Sequence, residues 1–133
     1  MWGRIRSQIP PGLPLIKADP VLLAQLLENL LDNALKYSAG AIDLTASAQS
    51  ENITVGVHDR GNGMTAEEEK SLFEPFRRSD RSGKRGTGLG LAVCRAIARA
   101  HGGELKRVPR TGGGSSFVLQ LPVSEVQTAP EAA

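Results

Sequence analysis

Hydrophobic and polar positions along the chain follow two periods, and each period predicts a different kind of element. Leucines recur at steps of three and four between residues 21 and 37, which predicts one long amphipathic helix. Asp19 and Pro20 precede it as N-cap and first helical residue, and the sequence SAG at 38–40 ends it. A second helix is predicted over residues 89–100, where the sequence HGG follows as a C-cap.

The other period is two, and it predicts strands. The predicted strands are residues 4–9, 41–48, 53–58, 104–108 and 116–121, and residues 13–16 form a further short extended segment. Thr65 followed by Glu68 predicts a capping box that begins a short acidic helix. The order of these elements predicts an α+β fold, with a mixed sheet of about five strands covered on one face by about three helices.

Composition narrows the function classes. The chain has 133 residues, which is the size of one domain, and we expect that domain to span 1–123 with a disordered tail at 124–133. A formal charge of +2, with nearly balanced acidic and basic residues, argues against a dedicated nucleic-acid binder. No run of about 18 apolar residues occurs, so no membrane span is predicted.

The long helix carries two asparagines, Asn29 and Asn33, where its polar stripe meets the leucine-rich face. An amide oxygen at such an edge is half buried and needs a partner, which a hard cation such as Mg²⁺ can supply. Lys36 and Tyr37, one turn further on, could reach a phosphate and a ribose from the same side. The alternative is that the two amides only cap or bridge within a surface helix.

A second constellation, DRGNG at 59–63, follows a predicted strand. Its spacing also fits a dinucleotide-binding fingerprint, but the acidic residues 67–69 in the next helix turn would repel a pyrophosphate. An ionised Asp59 is instead suited to accept a hydrogen bond from an exocyclic amine such as that of adenine, while Gly61 and Gly63 let the backbone approach the ring. The alternative is a tight turn without a ligand.

A third constellation, GTGLGLA at 86–92, runs into the second long helix. Alternate glycines at a helix N-terminus expose backbone N–H groups to an anion, so phosphate binding is predicted, with a flexible hinge as the alternative. Residues 77–85 hold five basic side chains and no apolar anchor, which is typical of a lid over a polyphosphate or of a merely solvated loop.

In this order the segments resemble the sequence boxes of histidine-kinase catalytic domains. Residues 28–38 resemble the N box, 59–64 the G1 box, 72–76 the F box and 86–91 the G2 box, while 112–122 are similar to the end of that domain. The likeness covers about residues 4–122. The sequences PPGLPL and AVCRAI look most like potassium-responsive sensor kinases of the Kdp type.

The resemblance implies the two-layer α/β sandwich of the GHKL (Bergerat) ATPases, with Mg-ATP between the N-box helix and a lid. It implies Asn33 as the Mg²⁺ ligand and Arg78 as the residue that stabilises the transferring γ-phosphoryl group. Lys84 in the lid is a further candidate for charge neutralisation, and Glu28 is a candidate proton acceptor although it points away from Asn33 on the helix. The nucleotide contacts implied are Asn29, Asn33, Lys36, Tyr37, Asp59, Gly61, Gly63, Phe76, Thr87, Gly88, Leu89 and Gly90.

One departure from the family pattern concerns the phosphoacceptor. Neither His58 nor His101 has the acidic neighbour and following proline of an H box, so the acceptor histidine is expected on a separate dimerisation domain. The expected setting is a cytoplasmic monomer that contacts neither membrane nor nucleic acid, acts indirectly on a response regulator, and comes from a parent anchored in the inner membrane. Alternatives are a serine kinase or ATPase of the same fold, or a non-catalytic nucleotide-binding regulator.

Overall fold

The computed structural model describes residues 2–74, 90–110 and 112–123. Their elements are a 3₁₀ turn at Trp2–Arg4, five strands and three helices. In chain order these are β1 (Ile5–Gln8), α1 (Pro20–Tyr37), β2 (Ile42–Gln49), β3 (Asn52–His58), α2 (Ala66–Lys70), α3 (Gly90–Ala100), β4 (Glu104–Pro109) and β5 (Ser115–Pro122). The predicted tail at 124–133 lies outside the described residues, as does the start of the second long helix at Leu89.

The strands form one mixed sheet in the order β1-β2-β3-β5-β4. β1 pairs with β2 in parallel, and the other three pairings are antiparallel. Both the mixed sheet and the helical layer confirm the predicted fold class. The predicted short extended segment at residues 13–16 belongs to no strand in the structure; Pro14 has no N–H to donate to a ladder, which disfavours pairing there.

The core lies between one face of the sheet and the helices α1 and α3. Alternation along β5 places Phe117, Leu119 and Leu121 on that face, each at most 2% exposed. The helices contribute residues at helical spacing, among them Leu26 and Leu30 from α1. The remaining buried apolar residues of this cluster are Ala34, Leu35, Ile42, Val57, Leu72, Cys94, Ile97, Ala98 and Leu105.

Local signals fix the helix ends where the sequence predicted them. Asp19 Oδ1 accepts from the N–H groups of Val21 (2.9 Å) and Leu22 (3.2 Å), which caps α1. Thr65 and Glu68 exchange side-chain and backbone hydrogen bonds in the predicted capping box. At the end of α1 the Arg4 guanidinium donates to the carbonyl oxygens of residues 35, 38 and 40, so the N-terminal segment holds the last turn.

Within the described ranges, no helix is long and apolar enough to cross a membrane.

Candidate functional site

Asp59 is the polar residue of the candidate site that protein hydrogen bonds hold most firmly. It follows the end of β3 and is only 6% exposed. Its backbone N–H donates to the Ser115 carbonyl at 2.9 Å, and its Oδ1 accepts from the N–H groups of Gly61 (2.9 Å) and Ser115 (3.1 Å). Oδ1 is thus satisfied by the protein, whereas no donor from the described residues reaches Oδ2. The carboxylate therefore presents one oxygen that is open to a ligand donor.

The β4–β5 hairpin packs directly against this turn. Gly114 has a φ of +102°, and a Cβ built on it would overlap the main-chain oxygen of Asp59, so only glycine fits without displacement. Arg110 Nη1 donates a hydrogen bond to the same oxygen at 2.9 Å. The Asp59 turn is thus held by a hairpin some 51 residues away in sequence.

The same turn contacts the C-terminal end of α1. A Cβ on Gly61 would lie 2.6 Å from the carbonyl oxygen of Tyr37 and 3.3 Å from Cβ of Ser38. Glycine at 61 therefore permits a close approach between the G1 segment and the last residues of the N-box helix. Gly63, with a φ of +78°, needs glycine for its backbone conformation. The contact joins Asp59, Gly61 and Tyr37 in one region.

On α1 itself, the amides of Asn29 and Asn33 are partly exposed, one turn apart. Cys94 of α3 is fully buried beside α1, and its thiol donates to the Leu26 carbonyl oxygen at 3.5 Å. Burial raises the pKa of this thiol to about 11, and the nearby Asn29 side chain opposes that rise. Asn29 therefore lies on the side of α1 that packs near Cys94.

Other predicted residues of α1 have their own surroundings. Lys36 pairs with Asp32 at 3.1 Å, one turn earlier, so a phosphate would have to compete with that carboxylate. Glu28 is exposed, and five residues along a helix separate it from Asn33 by about 140°. No group of three or more His, Cys, Asp or Glu in the described part of the chain could hold a metal ion. A cation here would therefore need amide and ligand oxygens.

His58 lies immediately before Asp59, on the sheet face opposite the core. Its ring contacts Ser116 Oγ through Nδ1 (2.7 Å) and Thr45 Oγ1 through Nε2 (3.0 Å), and Gly56 leaves room for it. Burial lowers the pKa of His58, and the nearby charge of Arg110 lowers it further, so the ring is neutral at pH 7. Its contacts make it a structural residue, which agrees with its lack of metal-ligand spacing.

A separate groove of about 510 Å³ lies between α2 and β4 and contains none of the predicted nucleotide contacts. Three of its charged lining residues, Glu69, Arg95 and Arg107, form ion pairs within the protein. Arg107 Nη1 lies 3.7 Å from Glu69 Oε1, and Arg95 pairs with Glu104 at 3.1 Å and covers the Phe73 ring. This groove is consequently not the candidate site.

The structure brings part of the predicted set together and leaves part outside its described residues. Asp59, Gly61 and Tyr37 meet at one end of α1, and Asn29 and Asn33 lie on the same helix. Gly90 is the exposed first residue of α3. Outside the described residues lie Phe76, Arg78, Lys84, Thr87, Gly88 and Leu89.

Sequence reasoning missed Arg110, Gly114 and Ser115, which fix Asp59 in place. The sequence GGGSS at 112–116 was the available signal, because three glycines with positive φ indicate a constrained turn. Nothing local to that turn identifies Asp59 as its partner.

The two-layer architecture and the buried carboxylate beside a helix end define a nucleotide-binding class of domain, and comparison with known proteins identifies the family. The family model described as histidine kinase-, DNA gyrase B-, and HSP90-like ATPase matches residues 18–125. The chain therefore belongs to this ATPase family. This agrees with the resemblance seen in the sequence boxes.

Similar proteins include sensor kinases. The sensor protein KdpD of Escherichia coli (strain K12) is 42% identical over 131 residues, which are 96% of this chain but only 14% of KdpD. The structure of full-length ShkA in complex with AMPPNP has a TM-score of 0.79 at 34% identity, covering 90% of this chain and 25% of that one. The catalytic domain of histidine kinase ThkA has a TM-score of 0.77 at 27% identity, covering 90% and 81%. The fold and sequence are thus those of the ATP-binding catalytic domain of sensor histidine kinases.

Proposed function

We propose that this chain binds Mg-ATP and transfers the γ-phosphoryl group to a histidine of a separate dimerisation domain. The observation that carries the proposal is the Asp59 carboxylate, which is buried and fixed through Oδ1 while no donor from the described residues reaches Oδ2. The exocyclic amine of adenine donates hydrogen bonds, and Oδ2 of an ionised carboxylate can accept one. Support for the nucleotide comes from the family and from the AMPPNP complex of the similar kinase ShkA.

The triphosphate would extend from the Asp59 turn along α1. The contact between Gly61 and the Tyr37 carbonyl makes the base site continuous with the end of that helix. Asn33 would then bind Mg²⁺ through its amide oxygen, with Asn29 and Lys36 near the phosphates and Tyr37 near the sugar. The Asn33 amide suits Mg²⁺ because this ion prefers oxygen ligands. It needs few protein ligands when phosphates and water supply the remaining coordination positions.

Phosphoryl transfer mainly requires positioning and charge neutralisation. A Mg²⁺ ion held by Asn33 would supply charge neutralisation at the phosphates. Arg78 and Lys84 would contact the γ-phosphoryl group, and Phe76, Thr87, Gly88, Leu89 and Gly90 would complete the nucleotide contacts. Glu28 remains a candidate proton acceptor, and its exposure away from Asn33 makes it the least supported member of the set.

The partner in this proposal is the phosphoacceptor domain of the same parent protein, followed by a response regulator, on the cytoplasmic side of the membrane where ATP is supplied. The test mixes this chain with Mg-ATP labelled at the γ-phosphate and a separate histidine-bearing dimerisation helix pair. Acid-labile label on that pair is expected. Label on serine would indicate the serine-kinase alternative, and ATP binding without transfer would indicate a regulator.

Two variants test the site itself. Asp59→Asn should weaken ATP binding by about 100-fold, because a charged acceptor for the adenine amine is lost from a buried position. Asn33→Asp should abolish productive Mg-ATP binding, because it places a carboxylate beside the phosphates. Asp43→Asn, which changes a carboxylate paired with Arg60 at 2.7 Å, is the matched control and should bind normally. Calorimetry measures all three, and wild-type affinity in Asp59→Asn would contradict the assignment.

A further inference from the structure

Arg110 connects the glycine hairpin to the Asp59 turn through its side chain. Its backbone N–H donates to Gly114 O at 3.2 Å, and its carbonyl accepts from Gly113 N–H at 3.1 Å. These two bonds fix the start of the hairpin around Arg110. From that position its Nη1 reaches the main-chain oxygen of Asp59 at 2.9 Å.

The other bonds that hold Asp59 involve backbone partners. Its N–H is bound by the Ser115 carbonyl, and its Oδ1 is bound by the N–H groups of Gly61 and Ser115. Among the described residues, Arg110 thus supplies the side-chain bond to this residue. A hydrogen bond from a guanidinium is charge-assisted and stronger than a neutral one, and this one is partly buried.

The carbonyl that Arg110 binds belongs to the residue whose carboxylate faces the base site. The Arg110 bond holds the main-chain oxygen of Asp59, and the Ser115 N–H holds Oδ1 of the same residue, so both the carbonyl and the carboxylate are fixed. The charge of Arg110 also lowers the pKa of His58, after the larger effect of burial, so the guanidinium lies in the neighbourhood of both residues at the end of β3. Its bond to the Asp59 main-chain oxygen places Arg110 to limit the movement of that residue.

We propose that Arg110 is a positioning residue for recognition of the purine amino edge: it holds the Asp59 main chain so that Oδ2 faces the exocyclic amine. This inference rests on the proposed function. It predicts an effect on selectivity between bases, whereas a residue needed only for folding would weaken the binding of every nucleotide equally.

The experiment compares ATP with purine riboside triphosphate, which lacks the 6-amine. Calorimetry with Mg²⁺ gives both affinities for the wild-type chain and for the variants Arg110→Met and Arg110→Lys. In Arg110→Met the affinity for ATP should fall about tenfold, with a change of less than about twofold for the desamino analogue. Arg110→Lys keeps a cationic donor and should retain most of the selectivity. Lys106→Met, an exposed change on β4, is the control.

The possible outcomes separate this inference from the proposed function. A wild-type chain that binds both nucleotides equally would overturn the contact between Asp59 and adenine, and the inference with it. A wild-type chain that prefers ATP, together with an Arg110→Met variant that keeps the full preference or weakens both nucleotides equally, would overturn the inference alone. If Arg110→Met does not fold, the ratio of the affinities for ATP and the desamino analogue is measured in Arg110→Gln. This variant retains a neutral donor and should show an intermediate loss of selectivity.

Discussion

The two ends of the candidate nucleotide site differ in how the protein satisfies their polar groups. At the Asp59 end, the backbone N–H, the carbonyl and one carboxylate oxygen each have a protein partner within 3.1 Å. On the polar side of α1, Asn29 lies near the Cys94 thiol, and none of the described residues bonds to the Asn33 side chain. Protein hydrogen bonds hold the Asp59 end, whereas the described residues leave the Asn33 amide at the other end available to a ligand.

The difference indicates how recognition is divided. A residue held by four protein hydrogen bonds, two of them to its carboxylate, loses little entropy on binding, so a neutral base can be bound by a single well-placed acceptor. Amide oxygens without protein partners are instead suited to a ligand that brings its own charge and cation. The Asp59 end would therefore determine which base binds, and the α1 end would respond to the metal and the phosphates.

The largest expected effect comes from breaking the rigid end with Gly114→Ala. The new methyl group would overlap the Asp59 carbonyl, and φ is +102° at this position. We expect a loss of about 3 kcal/mol or more in the free energy of unfolding, since both overlap and backbone strain contribute. Urea denaturation measures it, and ATP affinity should fall as well.

Gly112→Ala is the matched control for that prediction. Gly112 has a similar φ of +88°, but nothing lies within 4 Å of a Cβ built there. Its cost should be limited to about 1–2 kcal/mol of left-handed backbone strain, with ATP affinity unchanged. Equal losses in the two variants would mean that the contact between Gly114 and Asp59 contributes little, and the Asp59 end would not be more rigid than α1.

Local chemistry explains why so much of the fold was predictable. Asp19-Pro20 and the pair Thr65 and Glu68 are complete capping signals within four residues, and the structure confirms both. The strands of the sheet were predictable from the alternation of hydrophobic and polar residues, because the hydrophobic positions of a strand with one buried face repeat every two residues. The extended segment predicted at residues 13–16 did not become a strand. Two apolar positions flanking a proline have the sequence pattern of a strand whether or not a partner strand is available.

The candidate site was predictable only as far as its parts are local. Asn29 and Asn33 share a helix face by periodicity, and Asp59 ends a strand, so their residue types could be recognised. The bond from Arg110 to Asp59 spans 51 residues and depends on the β3–β5 register. No local pattern encodes that register. The proximity of Asn29 to Cys94 likewise depends on how α3 packs against α1.

A smaller effect is expected from changing Cys94, which tests what holds the α1 end. Cys94→Ala removes the thiol near Asn29 and leaves a small cavity, which should cost about 1–2 kcal/mol in unfolding free energy. If the sulfur orients Asn29, ATP affinity should also fall several-fold in the presence of Mg²⁺. An unchanged affinity in a folded Cys94→Ala variant would show that the Asn29 amide is held by its own helix.

The same thiol gives a pH dependence with a definite sign. The pKa of Cys94 is raised from 9.0 to about 11 in the folded chain, chiefly by burial, so the folded state binds the thiol proton more tightly than the unfolded state. Its contribution to stability is complete below pH 9 and is lost as the pH rises through 11. Urea unfolding at pH 8 and pH 10.5 should show wild type losing more stability than Cys94→Ala, and parallel losses would contradict this.

The smallest effect is expected at the far end of α3, where Glu104 of β4 binds two arginines. Hydrogen bonds from Arg99 and then Arg95, followed by the Leu105 N–H, lower the pKa of Glu104 from 4.5 to about 2. The folded state thus favours the ionised form, so the stabilisation is present above pH 4.5 and is lost as the pH falls through 2. Because the side chain is about a third exposed, solvent screening should limit the loss in Glu104→Gln to about 1 kcal/mol or less at pH 7.

Glu104→Gln sharpens the contrast between the two ends because it loosens α3 without touching Asp59 or Asn33. The difference in unfolding temperature between wild type and Glu104→Gln should be smaller at pH 2.5 than at pH 7. The control Glu51→Gln, in the exposed β2–β3 turn, should show almost no difference from wild type at either pH. ATP affinity should stay at the wild-type value, because the ion pairs lie at the opposite end of α3 from Gly90. A clear loss of ATP affinity in Glu104→Gln would mean that the α1 end depends on the anchoring of α3 as a whole, and not on the local contact between Cys94 and Asn29.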